Sequence, residues 1–221
     1  MMPRFETIFA KWAANYDDTV LKNPGEYHEV FEGYTRILAT IVEKLKQPKK
    51  GKVIDIGTGT GNLAGFLIKA GFQVMAIEPS KEMRKIAKRK FPELEIYEGD
   101  FLNFPEKLRK VHGIVSSYAF HHLTDEEKAD AIRNFNQHLV MGGQVIFADT
   151  VYENLKFKEE LLRDTKARGY MGLLKDLKRE YYTTIDVLKN QFTAAGFEVE
   201  FTRMNKFVWI MDAKKIKEVE N

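Results

Sequence analysis

The stretch VIDIGTGTGNLAGFLI, residues 53–68, leads from a short apolar segment through a glycine-rich turn into a helical pattern. Residues 52–57 are mostly apolar and β-branched, which predicts a buried strand. Residues 62–70 carry apolar side chains at helical spacing and are followed by Gly71, which is typical of a helix end. A glycine-rich turn between a strand and a helix lets the backbone approach a ligand closely. The first question is therefore which ligand this turn holds.

Strands and helices alternate on the C-terminal side of this turn. The pattern predicts further strands at residues 73–78, 94–97, 111–116 and 144–149, with helices at about 79–90 and 124–139. This alternation indicates right-handed crossovers and a mostly parallel sheet with helices on both faces. Residues 197–203 and 206–211 predict two last strands joined by a tight connection, so the final strand should be antiparallel. We therefore predict an α/β fold with a Rossmann-like, seven-stranded, mostly parallel sheet and an antiparallel last strand.

The N-terminal part is organised differently. A first helix is predicted from an aromatic and apolar stripe, and a second is predicted over about residues 27–46. We therefore predict a helical cap or lid over residues 1–48, in front of a domain over residues 49–221. The stripe of the first helix consists of Phe5, Ile8, Phe9, Trp12 and Tyr16.

The bulk composition excludes several classes of protein. The 221 residues include 35 basic and 32 acidic side chains, and a net charge of +3 is too small to indicate a nucleic-acid partner. The absence of cysteine excludes disulfides, cysteine zinc sites and a thiol nucleophile. Residues 1–5 lack the apolar segment of a signal peptide, and no run of about 18 apolar residues predicts a membrane span. We expect a cytoplasmic protein without a membrane partner.

The spacing of the glycines separates the candidate ligands of the turn. A loop for a nucleoside triphosphate needs Gly-x-x-x-x-Gly-Lys-Ser/Thr, and the lysine of that motif is absent here. The dinucleotide motif Gly-x-Gly-x-x-Gly places its third glycine at Asn62 when it is counted from Gly57. Counted from Gly59, the third position is Ala64, which the motif tolerates. The spacing therefore disfavours a triphosphate, whereas a dinucleotide is weakened but stays open.

The pattern that is present, Asp55-x-Gly57-x-Gly59-x-Gly61, resembles the first motif of the class I S-adenosylmethionine (SAM)-dependent methyltransferases. The hairpin at the end of the chain also matches the reversed last strand of that family. Further matches follow in the order of the family, at Glu78 after the second strand, residues 99–101 after the third and residues 116–123 after the fourth. Residues 9–17 and 119–128 resemble the YrrT group of methyltransferases more closely still.

The resemblance implies how SAM is bound. It places the carboxylate of Glu78 on the ribose hydroxyls, Asp100 on the adenine amino group, and Asp55 near the methionine ammonium. Tyr118, after the fourth strand, is expected to line the methionine end of the pocket. With the aromatic residues of the first helix, the candidate cofactor-binding residues are Asp55, Gly57, Gly59, Gly61, Glu78, Asp100, Phe101, Tyr118, Trp12 and Tyr16.

Two features of this set keep alternatives open. Trp12 and Tyr16 form either a lid whose aromatic faces lie near the sulfonium cation, or an apolar face packed on the domain. Asp100 is either the adenine acceptor that the resemblance implies or a turn residue after Gly99.

The transfer itself needs few catalytic groups. A sulfonium is an activated methyl donor, so alignment of the reactants supplies most of the acceleration. A base is needed only if the acceptor must lose a proton, and His121 and His122 are the candidates because they follow the fourth strand. Nothing else in the sequence supports a metal site made by these histidines and Asp149, so we expect none.

The acceptor is the least specified part of the prediction. Residues 116–119 do not match the Asp/Asn-Pro-Pro-aromatic signature of the enzymes that methylate amino groups of nucleic acid bases, so we expect a small-molecule acceptor. Residues 154–184 are expected to form variable helices on the acceptor side, where Tyr181 and Tyr182 either line the pocket or belong to the core. Two other functions stay open, namely a nicotinamide-dependent oxidoreductase and a SAM-binding module without catalysis. No motif identifies the methylated atom or the oligomeric state.

A parallel calorimetric titration with SAM, S-adenosylhomocysteine and NAD separates these functions. We expect the two adenosyl ligands to bind with micromolar affinity and NAD not to bind, because the glycine spacing departs from the dinucleotide motif. Binding of NAD alone would return the turn to the dinucleotide interpretation.

Overall fold

The computed structural model describes residues 16–22, 25–46, 51–103, 105, 108 and 110–219. Across these residues the strands form one seven-stranded sheet with the order β3-β2-β1-β4-β5-β7-β6. The strands are β1 (Lys52–Ile56), β2 (Gln73–Ile77), β3 (Glu95–Tyr97), β4 (Val111–Ser117), β5 (Leu139–Thr150), β6 (Phe197–Arg203) and β7 (Val208–Lys215).

The direction of the strands confirms the predicted topology. β1 pairs in parallel with β2 and β4, and β4 pairs in parallel with β5. β7 lies between β5 and β6 and runs antiparallel to both. The fold is therefore the predicted Rossmann-like, mostly parallel sheet with a reversed last strand.

Helices cover both faces of the sheet. They are α1 (Tyr16–Lys22), α2 (Tyr34–Lys44), α3 (Asn62–Lys69), α4 (Lys81–Lys90), α5 (Asp125–His138), α6 (Leu155–Ala167), α7 (Met171–Arg179) and α8 (Ile185–Ala194). Short 3-10 turns lie at Gly25–Tyr27 and Phe120–His122. No helix in this part of the chain is long and apolar enough to cross a membrane.

Neighbouring residues of the central strands pack into different cores because side chains alternate between the two faces of a strand. Ile54 packs in the apolar cluster that contains Phe135 of α5, whereas Val53 packs with Ile41 of α2 and Leu67 of α3. The described part of the predicted cap, α1 and α2, thus shares a core with the sheet. The division into a cap and a domain at residue 48 stays a prediction, and the remainder of the first predicted helix lies outside the described residues.

Several predicted boundaries were wrong. The second helix begins at Tyr34 instead of residue 27, because Gly33 has a left-handed backbone with φ of 72° that ends the turn before it. The helical segment after residue 154 is divided into α6 and α7 at Gly169, which has φ of 72°. β5 begins at Leu139, directly after α5, instead of at residue 144. A register shift against β4 accommodates residues 140–143, which lay between the predicted helix and the predicted strand. β7 begins at Val208 instead of residue 206.

A buried lysine joins the end of α5 to the last strand. Lys215 is 1% exposed, and its Nζ donates to the carbonyl oxygens of Asn136 at 2.6 Å and Leu139 at 2.9 Å. The last carbonyls of a helix lack partners within the helix, so this ammonium satisfies groups that would otherwise be left without a donor.

We expect Lys215→Met to lower the free energy of unfolding by about 1–3 kcal/mol, the usual effect of leaving buried carbonyls unsatisfied. The exposed neighbour Lys214 provides the matched control, because Lys214→Met removes the same charge without removing these bonds. Chemical denaturation of the three proteins measures the difference. Equal stability of the two variants would contradict a structural role for Lys215.

Candidate active site

The site lies where the strand order reverses, between β1 and β4. The chain leaves β1 towards β2 and leaves β4 towards β5, so the loops after β1 and β4 diverge and leave a crevice at the carboxyl edge. In open α/β sheets this crevice is where ligands bind.

The glycine loop after β1 is held closely against its surroundings. The N–H of Gly57 donates to the carbonyl of Ile77 at 2.8 Å, which fixes the start of the loop to the end of β2. Gly57 has φ of 68°, and a Cβ on it would lie 2.8 Å from the Cβ of Ala119 in the loop after β4. Glycine is therefore required at this position both by conformation and by space.

Glu78 connects the glycine loop to the segment after β2. Its Oε2 accepts from the N–H of Gly59 at 2.9 Å, and its Oε1 accepts from the N–H of Ser80 at 2.8 Å. Arg84 donates to the carbonyl oxygen of Glu78 at 2.7 Å and strengthens the same turn. Burial, only partly offset by these hydrogen bonds, raises the pKa of Glu78 to about 7.

Asp55 lies beneath the loop. It is 1% exposed, and its Oδ2 accepts from the hydroxyl of Thr58 at 2.6 Å. Burial raises the pKa of Asp55 to about 7, with a smaller contribution from the nearby charge of Glu78. Two buried carboxyl groups with pKa values near 7 mark a site that can bind a positively charged group or hydrogen-bond donors of a ligand.

α1 lies against the outer side of the glycine loop. Asp17 accepts from the hydroxyl of Thr60 at 2.6 Å and from the side-chain amide of Asn62 at 3.0 Å. The other carboxylate oxygen of Asp17 pairs with Lys90 at 2.5 Å. This contact was not identified in the sequence, where Asp17 appeared only at the end of a motif.

A first cavity, which we call the glycine-loop cavity, contains about 620 Å³ of empty space. Its wall includes most of the cofactor-binding residues implied by the sequence, but Asp55 and Gly61 are not among them. The candidate base His121 does not line it either. Trp12 lies outside the described residues. The cavity is lined by Tyr16, Ile56, Gly57, Gly59, Glu78, Pro79, Met83, Asp100, Phe101, Ser117, Tyr118, Ala119 and His122.

Asp100 has the contacts of a turn residue and also lies on the cavity wall. Its Oδ1 accepts from the N–H groups of Leu102 and Asn103, both at 2.9 Å, which is the arrangement of a turn residue. The residue also lines the glycine-loop cavity beside Phe101. The turn thus holds the carboxylate in a fixed position on the cavity wall.

A second cavity, which we call the aromatic cavity, adjoins the first and contains about 800 Å³ of empty space. The two cavities share Tyr16, Tyr118 and His122. The other lining residues of the aromatic cavity are Tyr27, Val30, Phe31, His121, Thr150, Leu173, Asp176, Leu177, Arg179, Glu180, Tyr182 and Phe207.

Tyr118 stands on the shared wall with a strained backbone. Its φ is 55°, which is uncommon for a residue other than glycine, and its N–H donates to the carbonyl of Ala148 at 2.8 Å. The ring packs against Phe31 and Tyr34 with centroid distances of 5.2 and 5.6 Å. Strain of this kind persists where the surroundings enforce it, and it is common at functional sites.

Each of the two histidines that are candidate bases has a carboxylate partner. Nδ1 of His121 lies 2.6 Å from Oδ1 of Asp149, and the backbone N–H of His121 donates to Oδ2 at 2.9 Å. Nδ1 of His122 lies 2.9 Å from Oε2 of Glu180. Burial lowers the pKa of His122, which favours the neutral form of the ring.

The two carboxylates stay ionised despite their surroundings. Burial alone would raise the pKa of Asp149, but the charge and hydrogen bonds of His121 lower it. Burial likewise opposes ionisation of Glu180, yet hydrogen bonding to His122 lowers its pKa to about 2. From the sequence, Asp149 was a candidate only as a metal ligand, and Glu180 was not a candidate. Asp149 stands near the end of β5, on the edge of the sheet where ligands bind, and this position could have indicated that it orients a residue of the site.

Comparison with known proteins identifies close relatives. A family model described as a methyltransferase domain matches residues 53–143. The chain is 47% identical over 212 residues to an uncharacterized methyltransferase, YrrT, of Bacillus subtilis, covering 96% of this chain and 98% of that protein. It is 46% identical over 211 residues to an uncharacterized methyltransferase of Anoxybacillus flavithermus, covering 96% of this chain and 98% of that protein.

A solved structure shares the fold at low sequence identity. The magnesium protoporphyrin IX methyltransferase of Synechocystis PCC 6803, crystallised with bound S-adenosylhomocysteine, superimposes with a TM-score of 0.68. The identity is 16%, and the match covers 95% of this chain and 99% of that one.

The raised pKa values of Asp55 and Glu78 predict how stability depends on pH. Their usual values are 3.8 and 4.5, and both are raised to about 7 in the folded protein. Between these limits the folded protein binds more protons than the unfolded chain, so this contribution to stability falls as the pH rises from about 4 to 7. The variant Asp55→Asn/Glu78→Gln should lose that part of the slope.

Denaturation curves of the unliganded protein at a series of pH values measure the slope. The exposed residue Glu126 supplies the control, because Glu126→Gln removes a carboxylate that has no buried environment. A stability difference between wild type and the double variant that is constant from pH 4 to 7 would contradict the assignment.

Proposed function

The chain belongs to the class I SAM-dependent methyltransferases of the YrrT group, and from this we propose that the glycine-loop cavity binds SAM and the aromatic cavity binds a small-molecule acceptor. The shared wall of the two cavities supports this assignment more than any other observation. Tyr16, Tyr118 and His122 line both cavities, so a methyl group at their junction can pass from donor to acceptor without leaving the protein. Methyl transfer needs the donor and acceptor atoms in line and in contact, which two adjoining cavities provide.

The residues around the glycine loop have groups that complement SAM. Under this proposal the carboxylate of Glu78 accepts hydrogen bonds from the ribose hydroxyls. The same carboxylate continues to accept from the backbone N–H groups of Gly59 and Ser80. Asp100, fixed by its turn, accepts from the adenine amino group, and Phe101 packs beside it. Gly57 and Gly59 give the ligand access to the backbone.

Asp55 acts from behind the loop. It does not line the cavity, so we propose that it fixes Thr58 and supplies negative charge for the methionine ammonium. Gly61 likewise acts through the shape of the loop, because its left-handed backbone, with φ of 86°, begins α3.

The aromatic cavity is lined largely by apolar and aromatic side chains and contains the candidate bases. His121 and His122 lie on its wall and are oriented by Asp149 and Glu180. An acceptor hydroxyl, thiol or amine in this cavity can lose its proton to an oriented imidazole as it attacks the methyl carbon. The sulfonium sulfur takes the electron pair of the broken carbon–sulfur bond and becomes the thioether of S-adenosylhomocysteine.

The N-terminal segment is proposed to act as a lid. α1 contacts the glycine loop through Asp17, and Tyr16 lines both cavities. This position fits the lid alternative for Tyr16. The same role for Trp12 stays a prediction, as does a cytoplasmic location for the protein.

The key test is the affinity of SAM for Glu78→Ala. We expect binding to weaken by about 1–3 kcal/mol, because charge-assisted hydrogen bonds to the ribose are lost. Isothermal titration measures the change. The exposed residue Glu82, on the adjacent α4, provides the control, and Glu82→Ala should bind SAM as wild type does. Unchanged affinity of a folded Glu78→Ala protein would remove Glu78 from the site.

A further inference from the structure

Three side chains from two distant segments converge on the wall of the aromatic cavity. His121 and His122 belong to the 3-10 turn after β4, and Glu180 follows the end of α7. One ring nitrogen of each histidine and one carboxylate oxygen of Glu180 lie within 4.8 Å of one another. We propose that these three side chains bind a divalent transition metal ion, for which zinc is the best match.

The donor set and its spacing fit such an ion. Two imidazoles and one carboxylate are the protein ligands of many catalytic zinc sites, with bonds of about 2.0–2.2 Å. Nδ1 of His122 and Oε2 of Glu180 are 2.9 Å apart, a hydrogen-bond distance, so an ion that binds both atoms takes the place of the proton between them and moves them slightly apart. His121 follows on the same turn, and its ring centroid lies 4.2 Å from that of His122. Small side-chain adjustments therefore suffice to bring all three ligands to one ion.

A second shell of contacts orients these ligands. Nδ1 of His121 is hydrogen-bonded to Oδ1 of Asp149 at 2.6 Å, which leaves Nε2 as the ring nitrogen that can bind a metal. A carboxylate behind an imidazole is the common arrangement around metal-binding histidines. Arg179 donates to Oε1 of Glu180 from Nε at 3.0 Å and Nη2 at 2.7 Å, which directs Oε2 towards His122. The positive charge of Arg179 also opposes a cation, so we expect micromolar rather than tighter affinity.

The location of the cluster indicates a catalytic rather than a structural ion. Three protein ligands leave at least one coordination position open, as in zinc sites that bind a substrate. The ligands lie on the wall of the aromatic cavity, and His122 also reaches the glycine-loop cavity. An open position at this place faces the junction of the two cavities.

The role of the ion rests on the proposed function, whereas metal binding by itself does not. When the ion is bound, the two imidazoles act as its ligands instead of as bases, and an acceptor hydroxyl or thiol that coordinates the ion releases its proton to solvent more readily. The resulting oxygen or sulfur anion forms a bond to the methyl carbon, and the carbon–sulfur bond of SAM breaks with its electron pair kept by sulfur. The acceptor class is therefore a hydroxyl or thiol compound able to coordinate a metal.

The test uses untagged, metal-stripped full-length protein and two probes, Zn²⁺ by calorimetry and Co²⁺ by visible absorption. We expect one equivalent of Zn²⁺ per chain, and intense Co²⁺ bands of a four- or five-coordinate site. His121→Gln and Glu180→Gln should each weaken Zn²⁺ binding at least tenfold, and Asp149→Asn by about 10–100-fold, as for other second-shell contacts. The exposed His28 provides the control, and His28→Gln should bind as wild type does.

Wild-type protein whose Co²⁺ spectrum stays that of the hydrated ion would overturn the proposal, whatever the variants do. Equal Zn²⁺ affinity of wild type and His121→Gln, or an equal loss in His28→Gln, would overturn it as well. SAM is titrated into the same metal-stripped samples. Normal SAM binding without any Zn²⁺ site rejects the metal alone, whereas a Zn²⁺ site in a protein that does not bind SAM rejects the proposed function alone.

Discussion

The bidentate contact of one buried carboxylate holds the site together. Glu78 accepts from Gly59 with one oxygen and from Ser80 with the other, so the loop after β1 and the segment after β2 are joined through a single side chain. The loop can be glycine-rich, and hence able to approach a ligand, because this contact compensates for its intrinsic freedom. Burial of the carboxylate is the cost of the arrangement, and it appears as a pKa raised to about 7.

The glycine loop is formed by residues that are adjacent in sequence, whereas the aromatic cavity is formed by residues from distant segments. The loop consists of consecutive residues between β1 and α3, and backbone hydrogen bonds to β2 define its shape. The aromatic cavity consists of residues from the turn at 25–31, the segment after β4, α7 and the loop before β7. The glycine loop is thus determined locally, whereas the aromatic cavity exists only after the chain has folded.

This difference explains what the sequence could predict. The alternation of strands and helices and the position of the glycine loop follow from patterns within short windows, so the fold class could be predicted from the sequence. Glu78 became a candidate because it follows the second strand, where the resemblance places an acid. The contact between His122 and Glu180 joins positions 58 residues apart, and no local pattern contains it. The start of α2 was missed because the left-handed backbone of Gly33 was not anticipated, and the start of β5 was missed because its register shift depends on the pairing with β4.

The shared wall of the two cavities also limits how this enzyme can evolve. Tyr118 and His122 line both cavities, so under the proposed function a change at either position alters the donor and acceptor ends together. Val30, Leu173, Leu177 and Phe207 line only the aromatic cavity. New acceptor preferences within this family should therefore arise at these four positions, which can be varied while the machinery that handles the methyl donor stays constant.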